Sequence, residues 1–171
     1  MLSFADNIST ILKAVRDVNP KRVLDVGGGM GKYSVLIRED SISSRAERGD
    51  MSPTDIIEID CNEDTEYFIN QKHHDGLYDN HYHSSVFDFK TPNDYDLILF
   101  IDTVEHWNKE ETIEMLKKFD GLKLISTPKQ TVMYQEHFYG DSRHHITQWA
   151  KEDFEIVSDY STDNSHIFLI K

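Results

Sequence analysis

Cysteine is almost absent. Cys61 stands alone, so the chain forms no internal disulfide and is not one of the small secreted folds held together by such bridges. Proline is scarce, with four residues in the chain, and no apolar run reaches membrane-spanning length. Met1 to Pro20 lacks the basic start and apolar block of a secretory signal, so cytoplasmic residence without membrane insertion is the expectation. Positive charge is also short: 18 Lys and Arg stand against 31 Asp and Glu, a formal charge of −13. A uniformly basic nucleic-acid face is therefore not expected, since binding to a phosphate backbone depends on neutralising it. The local groups Lys117, Lys118 and Lys123, or Lys129 with Arg143, read as solvated lysine faces. No internal repeat, low-complexity tract or linker interrupts the chain, so residues 1–171 are expected to form a single domain with a substantial core.

What the chain does have is one concentrated stretch, Lys21-Arg22-Val23-Leu24-Asp25-Val26-Gly27-Gly28-Gly29-Met30-Gly31-Lys32-Tyr33. Val23, Leu24 and Val26 suit a buried parallel strand. The glycines that follow allow a tight turn and a close backbone approach to a ligand. From Met30 to Arg38, Tyr33, Leu36 and Ile37 fall at helical spacings. Strand, glycine turn and helix form a nucleotide-type site at the carboxyl end of a sheet. The dinucleotide fingerprint fails, because Lys32 stands three residues after Gly29, where a glycine is required. The phosphate-binding loop fails too, since Gly27 and Gly31 are too close together and Tyr33, not Ser or Thr, follows the lysine.

The remaining pattern, Asp25-x-Gly27-x-Gly29-x-Gly31, resembles the first motif of class I S-adenosylmethionine-dependent methyltransferases. The resemblance implies an α/β fold, a Rossmann-like three-layer sandwich on a mostly parallel seven-stranded sheet with an antiparallel terminal strand. It also implies S-adenosylmethionine as cofactor, with Asp25, Gly27, Gly29 and Gly31 at its methionine end. Asp55-Ile56-Ile57-Glu58-Ile59-Asp60 reads as the second strand, whose terminal acid in such enzymes accepts hydrogen bonds from both ribose hydroxyls. Glu58 is preferred for that role on the resemblance of Ile57-Glu58-Ile59 to a Gly-Ile-Glu-Ile pattern, and Asp60 also qualifies. Relatives often carry an Asp after the third strand to meet the adenine amino group. Here Ser85 stands at that place with Asp88 three residues on, leaving Ser85, a backbone group or Asp88 for adenine.

The remaining elements follow in order. Ser3 to Val18 reads as an amphipathic helix stopped by Asn19-Pro20, and Glu39 to Pro53 as an exposed polar insertion. Asn62 to Lys72 reads as a short helix and Tyr82 to Val86 as a weak third strand, with the histidines at 73, 74, 81 and 83 on the surface. Tyr95 to Asp102 is the strongest strand, Lys109 to Phe119 a helix closed by Gly121, and Leu122 to Ser126 the fifth strand. Lys129 to Thr147, rich in aromatic and polar groups, is long enough to suggest a lid over a site. A helical turn over Gln148 to Asp153 precedes a terminal hairpin, Phe154 to Tyr160 with His166 to Ile170, turning at Thr162-Asp163-Asn164.

A second constellation follows the strongest strand: Asp102-x-x-Glu105-His106, with His145 distant in sequence. Carboxylates and imidazoles in this combination suit a divalent cation such as Mg²⁺, Mn²⁺, Fe²⁺ or Zn²⁺. The arrangement resembles the small-RNA 3′-terminal 2′-O-methyltransferases, whose metal site is Glu-x-x-Glu-His plus a distant His, with Asp102 in place of the first Glu. It is also similar to the Glu-His of ubiquinone-pathway O-methyltransferases. The resemblance implies Glu105, His106 and His145 as catalytic residues, with Asp102 at the cofactor. Three readings stay open: a site in which Asp102, Glu105, His106 and His145 hold Mg²⁺ or Mn²⁺, a metal-free base at His106 or His145, and a purely structural turn. The expected function is methyl transfer to the oxygen of a small-molecule, sugar, glycan or lipid-linked acceptor. The alternatives are a metal-assisted RNA 3′-terminal 2′-O-methyltransferase and a non-catalytic cofactor-binding partner subunit.

Overall fold

The computed structural model describes residues 5–46, 54–61, 77–90, 94–129 and 145–171. Seven strands form one sheet: β1 Arg22–Val26, β2 Asp55–Asp60, β3 Asn80–His83, β4 Leu97–Ile101, β5 Leu122–Pro128, β6 Ile156–Asp159 and β7 Ser165–Ile170, in the order β3-β2-β1-β4-β5-β7-β6. β1 to β5 run parallel, and β7 is antiparallel to both β5 and β6. The fold class expected from the sequence is the one observed.

Alternation along the strands assigns two cores. Leu24, Val26, Ile57, Ile59, Ile98 and Phe100 face one way and pack with Met115 and Leu116 of α3 (Lys109–Leu116). Val23, Ile56, Leu97, Leu99 and Leu124 face the other way and pack with Ile11, Ala14 and Val15 of α1 (Asn7–Val18) and with Tyr33 and Ile37 of α2 (Lys32–Ala46). The central strand β4, Leu-Ile-Leu-Phe-Ile, is buried throughout because helices cover both its faces.

The elements begin and end where local chemistry permits. α1 stops at Asn19, which takes a left-handed conformation at φ 53° and returns its N–H to the Val15 carbonyl before Pro20. Asn108 caps α3 by accepting the backbone N–H groups of Glu110 (3.0 Å) and Glu111 (3.3 Å).

Several boundaries differ from the sequence reading. α2 runs through Ala46 rather than ending at Arg38, and Arg16 of α1 holds Asp40 by two hydrogen bonds of 2.7 and 2.5 Å, so the start of the expected insertion is helix. β3 lies at Asn80–His83 rather than Tyr82–Val86, because Ser84 to Phe89 coil into turns, with Asp88 N–H on the Ser85 carbonyl and Phe89 N–H on that of Val86. Gly121 does not cap α3. The helix ends on Lys117 in an ordinary right-handed conformation, and Gly121 is needed because a Cβ there would run into the Tyr95 carbonyl and stand 2.8 Å from Ile98 Cδ1. β5 continues to Pro128 because β7 pairs with it from Lys123↔Ile170 to Pro128↔Ser165. The turn expected over Gln148 to Asp153 is a 3₁₀ turn at Lys151–Asp153. The expected helix over 62–72, His73 and His74, and most of the expected lid lie outside the described residues. Among the described residues, no helix is long and apolar enough to cross a membrane.

Candidate active site

The glycine turn leaves β1 at the carboxyl edge of the sheet. Gly27, Gly29 and Gly31 have φ of +70°, +57° and +76°, the left-handed region that glycine enters without steric cost. Gly27 N–H reaches the Ile59 carbonyl of β2 at 2.8 Å, and Gly31 N–H returns to the Gly28 carbonyl at 3.0 Å. The turn is thus fastened to its neighbour strand and closed before α2 begins. A Cβ on Gly29 would meet nothing nearer than the Gly27 carbonyl at 3.9 Å, so this side of the turn faces open space.

The other side of the turn is closed. A Cβ on Gly28 would collide with the Tyr78 hydroxyl and stand 2.7 Å from both Asp25 Oδ2 and Glu58 Oε1. These groups meet because the sheet register aligns them: Asp25 lies beside Glu58 across β1 and β2, and Glu58 beside His81 across β2 and β3. Tyr78 donates its hydroxyl to Asp25 Oδ2 at 3.0 Å, and His81 Nδ1 lies 3.3 Å from Glu58 Oε2. Asp25 is 2% exposed and Glu58 fully buried. Burial, and then the charges of Asp25 and Glu58, hold the Tyr78 hydroxyl well above the usual phenol range, so it remains a donor. Asp60 ends β2 two residues beyond Glu58, and so on the same face, and is 9% exposed. The Ser84 N–H bonds the Asp60 carbonyl at 3.1 Å, which keeps Ser85 at the same edge. The Ser85 hydroxyl accepts the Phe87 N–H at 3.3 Å, and Asp88 is exposed.

Beyond β4 the chain turns sharply at Asp102, which adopts a φ of +50°, uncommon for a residue with a side chain, and is buried. Thr103 joins the two halves of the site. Its hydroxyl lies within hydrogen-bonding distance of the Val26 carbonyl (3.2 Å) and the Ile101 carbonyl (3.0 Å), and its methyl group would stand 3.1 Å from a Cβ on Gly27. A 3₁₀ turn, Val104–His106, then presents Glu105 and His106. The Glu105 carbonyl accepts the N–H groups of Ile146 (2.9 Å) and Thr147 (3.1 Å), which brings His145 alongside. The rings of His106 and His145 meet edge to face with centroids 4.9 Å apart. Glu105, His106 and His145 each offer one ligand atom, all within 4.8 Å of one another.

Asp102, expected as a fourth ligand, is not in that group and acts on it through its charge. Burial, with Asp102 adding to it, pushes the Glu105 carboxyl up to about 8, against a smaller opposing pull from backbone hydrogen bonding and the Thr127 hydroxyl. Burial lowers the His145 imidazole, only partly offset by Asp102, so its neutral form is favoured at neutral pH.

Two residues of the site escaped the sequence reading. Tyr78 carries no motif. His81 reads as a surface histidine but has a side chain only 9% exposed beside Glu58. Only the β2–β3 register reveals that pairing. His83, by contrast, is exposed as expected.

The donor chemistry fits both groups that the sequence resemblance implies. The glycine turn has one open side and buried carboxylates beneath the other, as a cofactor with an ammonium group requires. One carboxylate and two imidazoles suit a divalent transition-metal ion.

No family model and no curated protein matches the sequence. Solved structures match the fold. The methyltransferase domain of bacterial CtHen1-C superposes with a TM-score of 0.64 at 15% identity, covering 96% of this chain and 96% of that one. The PH0226 protein from Pyrococcus horikoshii OT3 gives 0.68 at 13% identity, over 98% and 90%. An S-adenosylmethionine-dependent methyltransferase from Clostridium acetobutylicum ATCC 824 gives 0.66 at 12%, over 99% and 92%. With its strand order, antiparallel last strand and glycine turn at the sheet edge, the chain has the Rossmann-like fold of the class I S-adenosylmethionine-dependent methyltransferases.

Proposed function

We propose that the protein is an S-adenosylmethionine-dependent methyltransferase acting on a hydroxyl oxygen, with a divalent cation held by Glu105, His106 and His145. The observation that carries this reading is the convergence of those three side chains on a turn that Thr103 ties to the glycine loop. The bound cofactor supplies a methyl group on a sulfonium, and the cation supplies Lewis acidity that makes the acceptor hydroxyl easier to ionise.

The chain's own residues do the rest. Gly27, Gly29 and Gly31 present backbone to the cofactor, and Asp25 lies beneath the turn as its anionic support. At the end of β2, Glu58 and Asp60 divide the work expected of one acid. Glu58 is fully buried under Gly28, while Asp60 stands at the strand end, where ribose hydroxyls would arrive. Ser85, at the same edge, lies where an adenine would sit. Asp102 makes the sharp turn after β4, and its charge helps hold the Glu105 carboxyl above its usual range. His145, favoured as neutral imidazole, can accept the proton of the acceptor hydroxyl where no cation is held. Displacement at a methyl group needs alignment above all, and the rigid strand ends supply it.

The charge of −13 favours a small-molecule, sugar or lipid-linked acceptor over a polyanion. A second reading, methylation of the terminal ribose of RNA, is favoured by the donor set itself, because one cation held by three protein ligands leaves positions for two adjacent hydroxyls. The test is transfer of a labelled methyl group from S-adenosylmethionine, with Mn²⁺ present, to catechol-like and sugar diols and to oligoribonucleotides with intact or 3′-deoxy ends. Labelling of small diols alone supports the first reading. Labelling of RNA that needs the intact 3′ end supports the second. Labelling only of nitrogen or carbon acceptors would contradict both.

A further inference from the structure

We infer that Thr103 is a positioning residue whose hydroxyl sets the separation between the cation and the cofactor's methyl group, and so the rate of transfer, while holding neither ligand. The inference rests on the methyltransferase reading of the same site.

The turn after β4 is aimed from outside its own backbone. Asp102 is left-handed at φ +50°, and Thr103 follows at φ −128° and ψ −47°, outside both helix and strand geometry. Two successive residues in uncommon conformations do not by themselves fix the direction of the 3₁₀ turn that follows. Anchors on the two flanking strands do. Toward β5, the Asp102 N–H bonds the Ser126 carbonyl at 2.8 Å. Toward β1, the Thr103 hydroxyl lies 3.2 Å from the carbonyl of Val26, the last residue of β1 and the neighbour of Gly27. The first anchor is backbone and survives any side chain at position 102. The second is made by a side chain and needs a hydroxyl at position 103.

Thr103 also touches both half-sites. Its carbonyl accepts the His106 N–H at 3.2 Å, which closes the turn around Glu105. Its Cγ2 and Oγ1 lie 3.1 and 3.2 Å from the point that a Cβ on Gly27 would occupy. One half-buried residue thus packs on the first glycine of the cofactor's turn and closes the turn that presents Glu105 and His106. Its hydroxyl has one proton and two backbone carbonyls in reach, Val26 at 3.2 Å and Ile101 at 3.0 Å. With the proton turned to these carbonyls, the hydroxyl is a tie between strands and not a donor to cofactor or acceptor.

In the transfer, the acceptor oxygen forms its bond to the methyl carbon as the carbon–sulfur bond opens. The electron pair stays on sulfur, and the hydroxyl proton goes to solvent. Such a displacement is sensitive to alignment, and a misplacement on the order of 1 Å costs about 100-fold. Thr103→Val keeps the shape and sets a methyl group against the Val26 carbonyl, which frees the turn to move away from β1. Transfer should fall by about 10- to 100-fold, with the affinities for cofactor and cation each within about threefold.

The experiment reads the separation without an acceptor. Nuclear magnetic resonance measures the relaxation that bound Mn²⁺ induces in the carbon-13 methyl group of S-adenosylmethionine, with Mg²⁺ as the diamagnetic reference. The proteins are the wild type, Thr103→Val, Thr103→Ser and Thr103→Ala, each with calorimetric affinities for both ligands. Thr103→Ser is expected to keep the wild-type relaxation. Thr103→Val and Thr103→Ala should lower it by about twofold or more, as a shift on the order of 1 Å requires. With an acceptor identified by the transfer assay, kcat should follow the relaxation while KM holds. If Thr103→Val does not fold, Thr103→Ser and Thr103→Ala, which differ by the hydroxyl alone, carry the comparison. Equal relaxation in those two overturns the inference and leaves the methyltransferase reading intact, as does a drop in either affinity that matches the drop in transfer. Failure of the wild type to bind Mn²⁺ overturns the inference together with the cation, and failure to bind S-adenosylmethionine overturns the methyltransferase reading as well.

Discussion

His145 lies edge to face against His106, 4.9 Å between ring centroids, although the two come from distant parts of the chain. The contact is held from behind by backbone, since the Glu105 carbonyl takes the N–H groups of both Ile146 and Thr147. The pair is therefore set by the fold and does not depend on a bound ion to assemble it.

Replacing His145 by Ala should abolish a manganese or magnesium isotherm while leaving S-adenosylhomocysteine affinity within about threefold, because no glycine-turn contact involves it. The loss of metal affinity should exceed the 10- to 100-fold or so that follows removal of an outer-shell partner. Titration with each ligand separately checks this, and equal loss of both would show that the two half-sites are not independent.

Metal affinity should depend on pH through Glu105. Its carboxyl is pushed up to about 8, so an arriving cation must displace a proton at neutral pH. Affinity should climb by about tenfold per unit as pH rises toward about 8 and flatten beyond. The metal-free protein should show the opposite trend in stability. The folded state binds the extra proton between the usual 4.5 and about 8, so this group's contribution is intact below 4.5 and declines as pH rises through about 8. Chemical denaturation across that range, with and without metal, measures both trends, and Glu105→Gln should flatten them.

Gly28→Ala and Gly29→Ala separate two reasons for glycine. At position 28 an added methyl group strikes the Tyr78 hydroxyl, Asp25 and Glu58, and should cost about 2 kcal/mol or more together with cofactor binding. At position 29 there is room, and only the positive φ opposes a side chain, at about 1–2 kcal/mol. Urea denaturation midpoints should rank the variants in that order.

Asn108→Ala should destabilise the fold by about 1 kcal/mol through loss of the cap on Glu110 and Glu111, with no change in metal or cofactor affinity. A thermal melt and one titration with each ligand check it.

Much of this was legible in the sequence where burial writes a plain pattern. β1, β2 and β4 are short apolar runs because both their faces are covered, and the glycine turn declares itself by spacing. The segment from Ser84 to Phe89 was not legible, since its side chains suit a strand while its backbone bonds close turns. Glu58 shows the same limit at the site. Its sequence neighbours suggest a strand-end acid, but its surroundings come from Tyr78 and His81, which only sheet order and register bring to it. Asp102 was legible as part of the constellation after β4. Its left-handed backbone, which accompanies its place outside the three-ligand group, has no signature in a residue of this type.

The most direct test of the central claim is calorimetric titration of the purified protein with S-adenosylmethionine and S-adenosylhomocysteine, repeated on Gly29→Arg. The account predicts that both bind the wild type, one molecule per chain, and that neither binds the variant, in which a long cationic side chain occupies the open side of the turn. Failure of both to bind the wild type would contradict it.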